Sequence, residues 1–297
     1  MEELSKSGFS ELARQASLQP KEALLSKKNP HQTLYIGVPK EITLQEHRVA
    51  LTPSSVNLLV NNGFEVWIET GAGKEAKFPD KDYSDAGAKI CYSSEEVYKA
   101  DIIVKVEPPT ENEIKFLQAK QLIISAIQLN SRSDKYIRSL MEKKITAIAF
   151  EFLKSKDGIY PIVRSMSEIA GTSAISVASE YLCSTRGGKG EMLGGVTGIP
   201  PTEIVIIGAG TVGEYAARAA IGVGAVVKVF DNSLEKLRRI QNNLGIKLYT
   251  SLLHPKILQK ALSTADVAIG CMWSEDGRSP AVIGEEMVSK MKPLGYY

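Results

Sequence analysis

Thr202-Glu203-Ile204-Val205-Ile206-Ile207-Gly208-Ala209-Gly210-Thr211-Val212-Gly213 is the stretch on which the fold of this chain turns. Four consecutive apolar residues run straight into Gly-x-Gly-x-x-Gly, and an amphipathic segment follows over 212–223. A buried strand that ends in three spaced glycines and opens into a helix reads as the phosphate-binding turn of a dinucleotide-binding unit. Gly208 permits the tight turn. Gly210 has no side chain, so the backbone can approach a pyrophosphate, and Gly213 lets helix and strand pack closely. Thr211 and Val212 open the helix, where unpaired N–H groups and a partial positive charge face an anion. A second apolar run, 226–230, ends at Asp231, about 20 residues on, the spacing expected of a group that binds the ribose hydroxyls. A carboxylate there repels a 2′-phosphate, so the reading is NAD in preference to NADP.

The same alternation extends in both directions. Downstream, helices over 234–243, 255–262 and 285–291 alternate with strands over 247–250 and 267–270. Four strands are read from Glu203 onward, against the six of a full dinucleotide fold. Upstream, strands are read over 34–38, 64–69, 88–92, 101–106, 122–127 and 145–150. Helices are read between them, over 53–62, 80–86, from Ser93 or Ser94, over 110–119 and over 133–143. Strands separated by helices of about 10–15 residues specify βαβ units and parallel sheets. The fold class expected is therefore α/β, with two doubly wound Rossmann-like domains of parallel strands, a cleft between them, and the second domain incomplete at its C-terminus. Domain bounds are placed at 1–31 for a polar extension, 32–164 for a substrate domain and 165–297 for the dinucleotide domain. One long helix rich in small residues, 165–185, connects the two domains.

Composition narrows the partners. The 297 residues hold 36 Lys and Arg against 34 Asp and Glu, a net charge of +2 that offers no pull toward nucleic acid or a membrane surface. No apolar run reaches the ~18 residues of a membrane-spanning helix. Cys91, Cys183 and Cys271 lie far apart, form no Cys-x-x-Cys pair and suggest no metal site, and an odd count argues against a disulfide framework. A reducing cytoplasm is the simplest setting. Residues 1–30 have no continuous apolar core for a signal peptide and carry glutamates that a transit peptide avoids.

Several stretches together carry a resemblance. Ile36-Gly37-Val38-Pro39-Lys40-Glu41, His47-Arg48-Val49-Ala50-Leu51-Thr52-Pro53, Gly71-Ala72-Gly73, Lys105-Val106, Met166-Ser167-Glu168-Ile169-Ala170-Gly171 and the segment from Gly187 through Gly213 resemble the family of alanine dehydrogenases and NAD(P) transhydrogenase alpha subunits. The resemblance runs from about Leu34 to Pro293. It implies oxidative deamination of L-alanine to pyruvate and ammonia with NAD, or the reverse, in a homo-oligomer, usually a hexamer. It implies that Arg48 and Lys105 hold the substrate's carboxylate and carbonyl. Ser167, Val212, Gly213, Asp231 and Lys236 match cofactor contacts, and Met272 and Trp273 align with the nicotinamide side. The residues themselves agree in part: Lys105 follows an apolar strand and Arg48 the first strand, the rim on which ligands of open α/β sheets collect. A lysine there polarises a carbonyl, and a guanidinium there grips a carboxylate with two parallel bonds.

The chain departs from the family pattern in two places. Where the family's catalytic histidine should follow the strand over 122–127, the sequence reads Ile127-Gln128-Leu129. Glutamine hydrogen-bonds a carbonyl or imine but does not exchange a proton near neutral pH. His47, beside Arg48, is the alternative acid/base. The family also continues past the equivalent of Lys292-Pro293 with a strand bearing a catalytic aspartate, which the last residues do not resemble. Two further readings stand beside the dehydrogenase: a transhydrogenase alpha-subunit-like protein, and an NAD-binding fragment without catalysis.

Overall fold

The computed structural model describes residues 33–272 and 281–292. The polar extension read over 1–31 and Trp273 lie outside the described residues. The chain folds as two compact units. One runs to Ile127 and resumes over Ser133–Ala149; the other takes Gln128–Arg132 and everything from Phe150.

The first unit holds six parallel strands: β1 (Tyr35–Val38), β2 (Glu65–Glu69), β3 (Lys89–Cys91), β4 (Ile102–Val104), β5 (Leu122–Ser125) and β6 (Thr146–Ala149). Their order is β3-β2-β1-β4-β5-β6, the full doubly wound order with its reversal between β1 and β4. Helices α1 (Pro53–Asn61), α2 (Asp80–Asp85), α3 (Ser94–Val97), α4 (Glu111–Phe116) and α5 (Asp134–Glu142) fill the crossovers. Their starts follow local chemistry. Thr52, Ser93, Thr110 and Ser133 each accept from a backbone N–H of the first turn, and Thr110 with Glu113 completes a reciprocal capping box. The segment read as a helix from Ser93 is a single turn, because Tyr98 and Ala100 turn inward to be fully buried beneath the sheet. Apolar side chains cover both faces of this sheet. Ile36, Val38, Val66 and Ile68 pack with Val56 and Tyr83 on one face, while Ile103 and Ile123 pack with Tyr98, Ile114 and Tyr136 on the other.

The second unit holds β7 (Glu203–Ile207), β8 (Val226–Phe230), β9 (Tyr249–Ser251) and β10 (Val267–Gly270), again all parallel, in the order β10-β7-β8-β9. Strand β7 sends Ile204 and Ile206 into one core and Val205 and Ile207 into the other, which is why its apolar run is unbroken. Around the sheet lie α6 (Pro161–Leu182), α7 (Thr211–Gly222), α8 (Leu234–Leu244), α9 (Pro255–Thr264) and α10 (Glu285–Ser289). The connecting helix read from Ser165 begins four residues earlier, at Pro161. A proline at the first helical position needs no N–H partner and already has a helical φ, so it starts this helix. Gly171 of α6 allows close approach of α7, since a Cβ there would meet the Val212 carbonyl at 2.3 Å.

Candidate functional site: a dinucleotide cradle and a charged strand rim

In the second unit the reversal of strand order falls between β7 and β10, and the glycine-rich turn sits there. Gly208 leaves β7 with φ +112, a conformation that side chains rarely tolerate, and a Cβ on it would meet the Cys271 carbonyl oxygen at 2.5 Å. A Cβ on Gly213 would come within 1.9 Å of the Gly208 carbonyl oxygen. The protein's own packing therefore demands two of the three glycines. Gly210 differs. Its backbone is ordinary extended chain (φ −74, ψ −168), and a Cβ would meet nothing within 4 Å. Among the described residues no neighbour requires a glycine there, and the space it leaves opens directly onto the N-terminus of α7. Gly210 is also the N-cap of that helix and offers no side-chain cap, so the first N–H groups have no side-chain partner. The cradle suits a diphosphate.

Asp231, at the end of β8, is 7% exposed, and its two carboxylate oxygens accept from Ala209 N and Ser233 N, each at 2.7 Å. The side chain thus ties the glycine turn to the turn after β8, and each oxygen keeps a lone pair for a hydroxyl donor. An open depression of about 410 Å³ is lined by Gly208, Gly210, Asp231, Asn232, Ser233, Lys236, Cys271 and Met272. It brings together five of the residues read as cofactor contacts. Thr211, Val212 and Gly213 form the first turn of α7 beside it. Ser167 lies on α6, where its hydroxyl donates to the Val163 carbonyl of the preceding turn. Cys271, the strand-end residue after β10, was not read from sequence; burial pushes its thiol up to about 12, so it stays protonated.

In the first unit the strand order reverses between β1 and β4, and charged residues gather on that rim. Lys105 directly follows β4 and its side chain is 0% exposed. It does not snorkel to solvent. Its ammonium donates to Glu113 Oε1 at 2.7 Å, and that same oxygen accepts from the Tyr98 hydroxyl at 3.1 Å. Glu41, after β1, brings a second carboxylate. Its Oε1 accepts from Val106 N at 2.6 Å, and its Oε2 lies 3.3 Å from the ammonium but makes no hydrogen bond. Burial raises the Glu41 carboxyl above the ordinary carboxylate range, against the pull of Lys105. Arg48 is half exposed and grips Glu46 through Nε (2.8 Å) and a terminal nitrogen (2.5 Å), with Glu107 at 3.7 Å. The fork of hydrogen bonds from Arg48 holds the Glu46 carboxyl below its ordinary range. Glu41, Glu46 and Glu113 were not read from sequence. Glu41 closes the stretch Ile36–Glu41, which stood out only for its pattern. Glu113 completes the capping box at the start of α4 while also pairing with Lys105.

Gln128 stands three residues beyond β5 in a left-handed backbone conformation, φ 54 and ψ 46. Its N–H donates to Glu151 Oε1 at 2.7 Å, and its side-chain oxygen accepts from Arg132 at 3.1 Å. A non-glycine residue held in that conformation is the kind of strain that collects at functional sites. His47 lies 3.5 Å from Glu75 and is well exposed. Among the described residues no group of His, Cys, Asp and Glu could hold a metal ion, and no helix is long and apolar enough to cross a membrane.

Residues 37–170 match the family model described as "Alanine dehydrogenase/PNT, N-terminal domain", and residues 174–295 match its C-terminal counterpart. An alanine dehydrogenase of Methanococcus maripaludis is 38% identical over 261 residues, covering 88% of this chain and 70% of that protein. One from Staphylococcus epidermidis is 35% identical, covering 86% and 69%. A solved L-alanine dehydrogenase superposes with a TM-score of 0.81 at 35% identity, covering 88% of this chain and 72% of that one. A transhydrogenase from Sinorhizobium meliloti superposes at 0.74 with 25% identity, covering 88% and 76%.

Proposed function

The chain belongs to the alanine dehydrogenase/PNT family, and on that premise we propose that it is an NAD-dependent oxidoreductase that interconverts L-alanine with pyruvate and ammonia. The observation that carries this reading is Gly210. Packing enforces the glycines on either side of it, whereas a Cβ on Gly210 would meet no described residue within 4 Å, which leaves that space at the start of α7 open to a diphosphate. Asp231 would take the ribose hydroxyls, which favours NAD over NADP because a 2′-phosphate would meet a buried carboxylate. Lys236, Met272, Ser167 and Trp273 would complete the cofactor contacts.

NAD, when bound, supplies the acceptor for the hydride that leaves the alpha carbon. Arg48 would hold the substrate carboxylate with the two-pronged geometry it now uses on Glu46. Lys105 would stand against the substrate's carbonyl oxygen, where a fixed ammonium stabilises developing negative charge. The Gln128 amide would orient the carbonyl or imine but would move no proton itself. Water is the carrier available for that step, so turnover is slower than a histidine at this position would allow. A cytoplasmic setting and a homo-oligomer go with this activity.

The direct test is reduction of NAD by L-alanine, followed by NADH absorbance, with binding of NAD and NADP compared by calorimetry. Alanine-dependent NADH formation and tighter NAD binding are expected. NAD binding without any alanine turnover would instead favour a nucleotide-binding protein, closer in role to the transhydrogenase reading.

A further inference from the structure

The rim of the first sheet is oddly charged for a place that receives an anion. Two cations, Arg48 and Lys105, stand among four carboxylates, those of Glu41, Glu46, Glu107 and Glu113. Around the Lys105 ammonium the imbalance is buried: the lysine side chain is 0% exposed, Glu41 is 4% and Glu113 is 6%. Glu113 is fully engaged, accepting from Lys105 and Tyr98 through one oxygen and from Thr110 through the other. Glu41 is not, because its Oε2 is buried and has no hydrogen-bond partner. A 2-oxo acid brings one more negative charge to this ammonium. Three carboxylates around one buried cation are strongly unfavourable where water cannot screen them.

We propose that Glu41 takes up one proton when the carboxylate of a 2-oxo acid binds at Lys105 and Arg48, so that recognition of the oxo acid is linked to pH through this side chain. The proton comes from solvent to Oε2, the buried oxygen that lies 3.3 Å from the Lys105 ammonium without a hydrogen bond of good geometry. No substrate bond is made or broken. Neutral Glu41 then removes the excess charge and leaves the Lys105 ammonium to the incoming carboxylate. Glu41 is a positioning residue here, acting through the ammonium that meets the substrate. The groups facing it are Lys105 and Glu107 beyond β4, Tyr98 after α3, Glu113 on α4, and Glu46 and Arg48 in the loop after β1. Burial already raises Glu41, against the pull of Lys105. L-Alanine brings its own ammonium with its carboxylate and adds no net charge, so it binds without the proton.

This inference rests on the reading of the rim as an oxo-acid site. The probe is oxamate, an unreactive monoanion of pyruvate's shape, titrated into the NADH-loaded protein in buffers of different ionisation enthalpy. Uptake approaching one proton is expected, with the dissociation constant weakening about tenfold per pH unit once Glu41 is ionised in the free protein. Glu41→Gln should bind oxamate with no uptake and no pH slope, while Glu113→Gln should keep the uptake. Oxamate binding to the wild type without proton uptake would overturn the inference and leave the proposed function standing. Uptake that persists in Glu41→Gln, or vanishes only in Glu113→Gln, would assign the proton elsewhere and overturn it too. If neither oxamate nor pyruvate binds, the oxo-acid site itself falls, and Glu41's role with it. The wild-type proton count decides the matter even if Glu41→Gln does not fold.

Discussion

Alanine at Gly210 and alanine at Gly213 should fail in opposite ways. At Gly213 the new methyl would lie 1.9 Å from the Gly208 carbonyl oxygen, a backbone atom that cannot rotate aside. Overpacking of that kind costs about 1–3 kcal/mol and sometimes more. For a unit of this size each kcal/mol lowers Tm by about 2–4 °C, so a fall of roughly 2–12 °C is expected. At Gly210 the methyl meets nothing within 4 Å and φ is −74, so the folded protein accommodates it. Two small effects oppose one another. Alanine restricts the unfolded chain, stabilising by about 0.4–1 kcal/mol, but it is a poorer N-cap than glycine by about the same amount. Tm should move by no more than about 4 °C in either direction. The methyl does occupy the space reserved for the diphosphate. An overlap costing about 1.4–2.8 kcal/mol there weakens NADH binding about ten- to a hundredfold. Thermal melts of the cofactor-free proteins and NADH titrations of the folded ones separate the two quantities. A Gly210→Ala protein that melts early and binds NADH normally would refute the assignment of Gly210 to the ligand.

Three further outcomes follow from the same geometry. Asp231→Ala should narrow the preference for NAD over NADP, and it should also destabilise the protein by about 1–3 kcal/mol because Ala209 N and Ser233 N lose their acceptor; a calorimetric NADP/NAD ratio unchanged from wild type would count against the carboxylate as discriminator. Gln128→His should raise alanine turnover at neutral pH and add a titration near the histidine value of about 6.5 to the pH–rate profile; robust wild-type turnover that this change leaves alone or lowers would show that the proton donor lies elsewhere. The Glu46 carboxyl is depressed by Arg48, so its stabilisation is complete above the ordinary carboxylate range and is lost as pH falls through the lowered value. Arg48→Ala should therefore lower the urea midpoint near neutral pH, with the gap to wild type closing in strong acid; a gap independent of pH would mean that the arginine stabilises by packing alone.

Period and punctuation made most of the architecture legible. Most of the ten strands among the described residues are short apolar runs, readable because parallel strands buried on both faces leave few polar residues to blur them; β9, Tyr-Thr-Ser, is the exception. The ends of elements were harder. Pro161 reads equally well as a stop or as a first helical residue, and only the packing of the following 22-residue helix decides which. The cofactor cradle could be read because its parts lie in one βαβ unit, close in sequence and in fixed order. The charged rim could not, because its members come from the ends of different strands: Glu41 and Lys105 are 64 residues apart and meet at 3.3 Å. Residue types hinted at Lys105 and Arg48, but nothing local indicates that each already holds carboxylates of its own.

The sequence alone thus determined the two α/β units, the dinucleotide turn and the acid that follows it, because each depends on neighbours within a single strand–turn–helix. Tertiary structure decided which of these glycines the protein's own packing requires, since that depends on what stands opposite each missing Cβ. It also decided how the rim is charged. Strand order brings β1 beside β4, and burial then sets how much each carboxylate beside Lys105 costs to ionise.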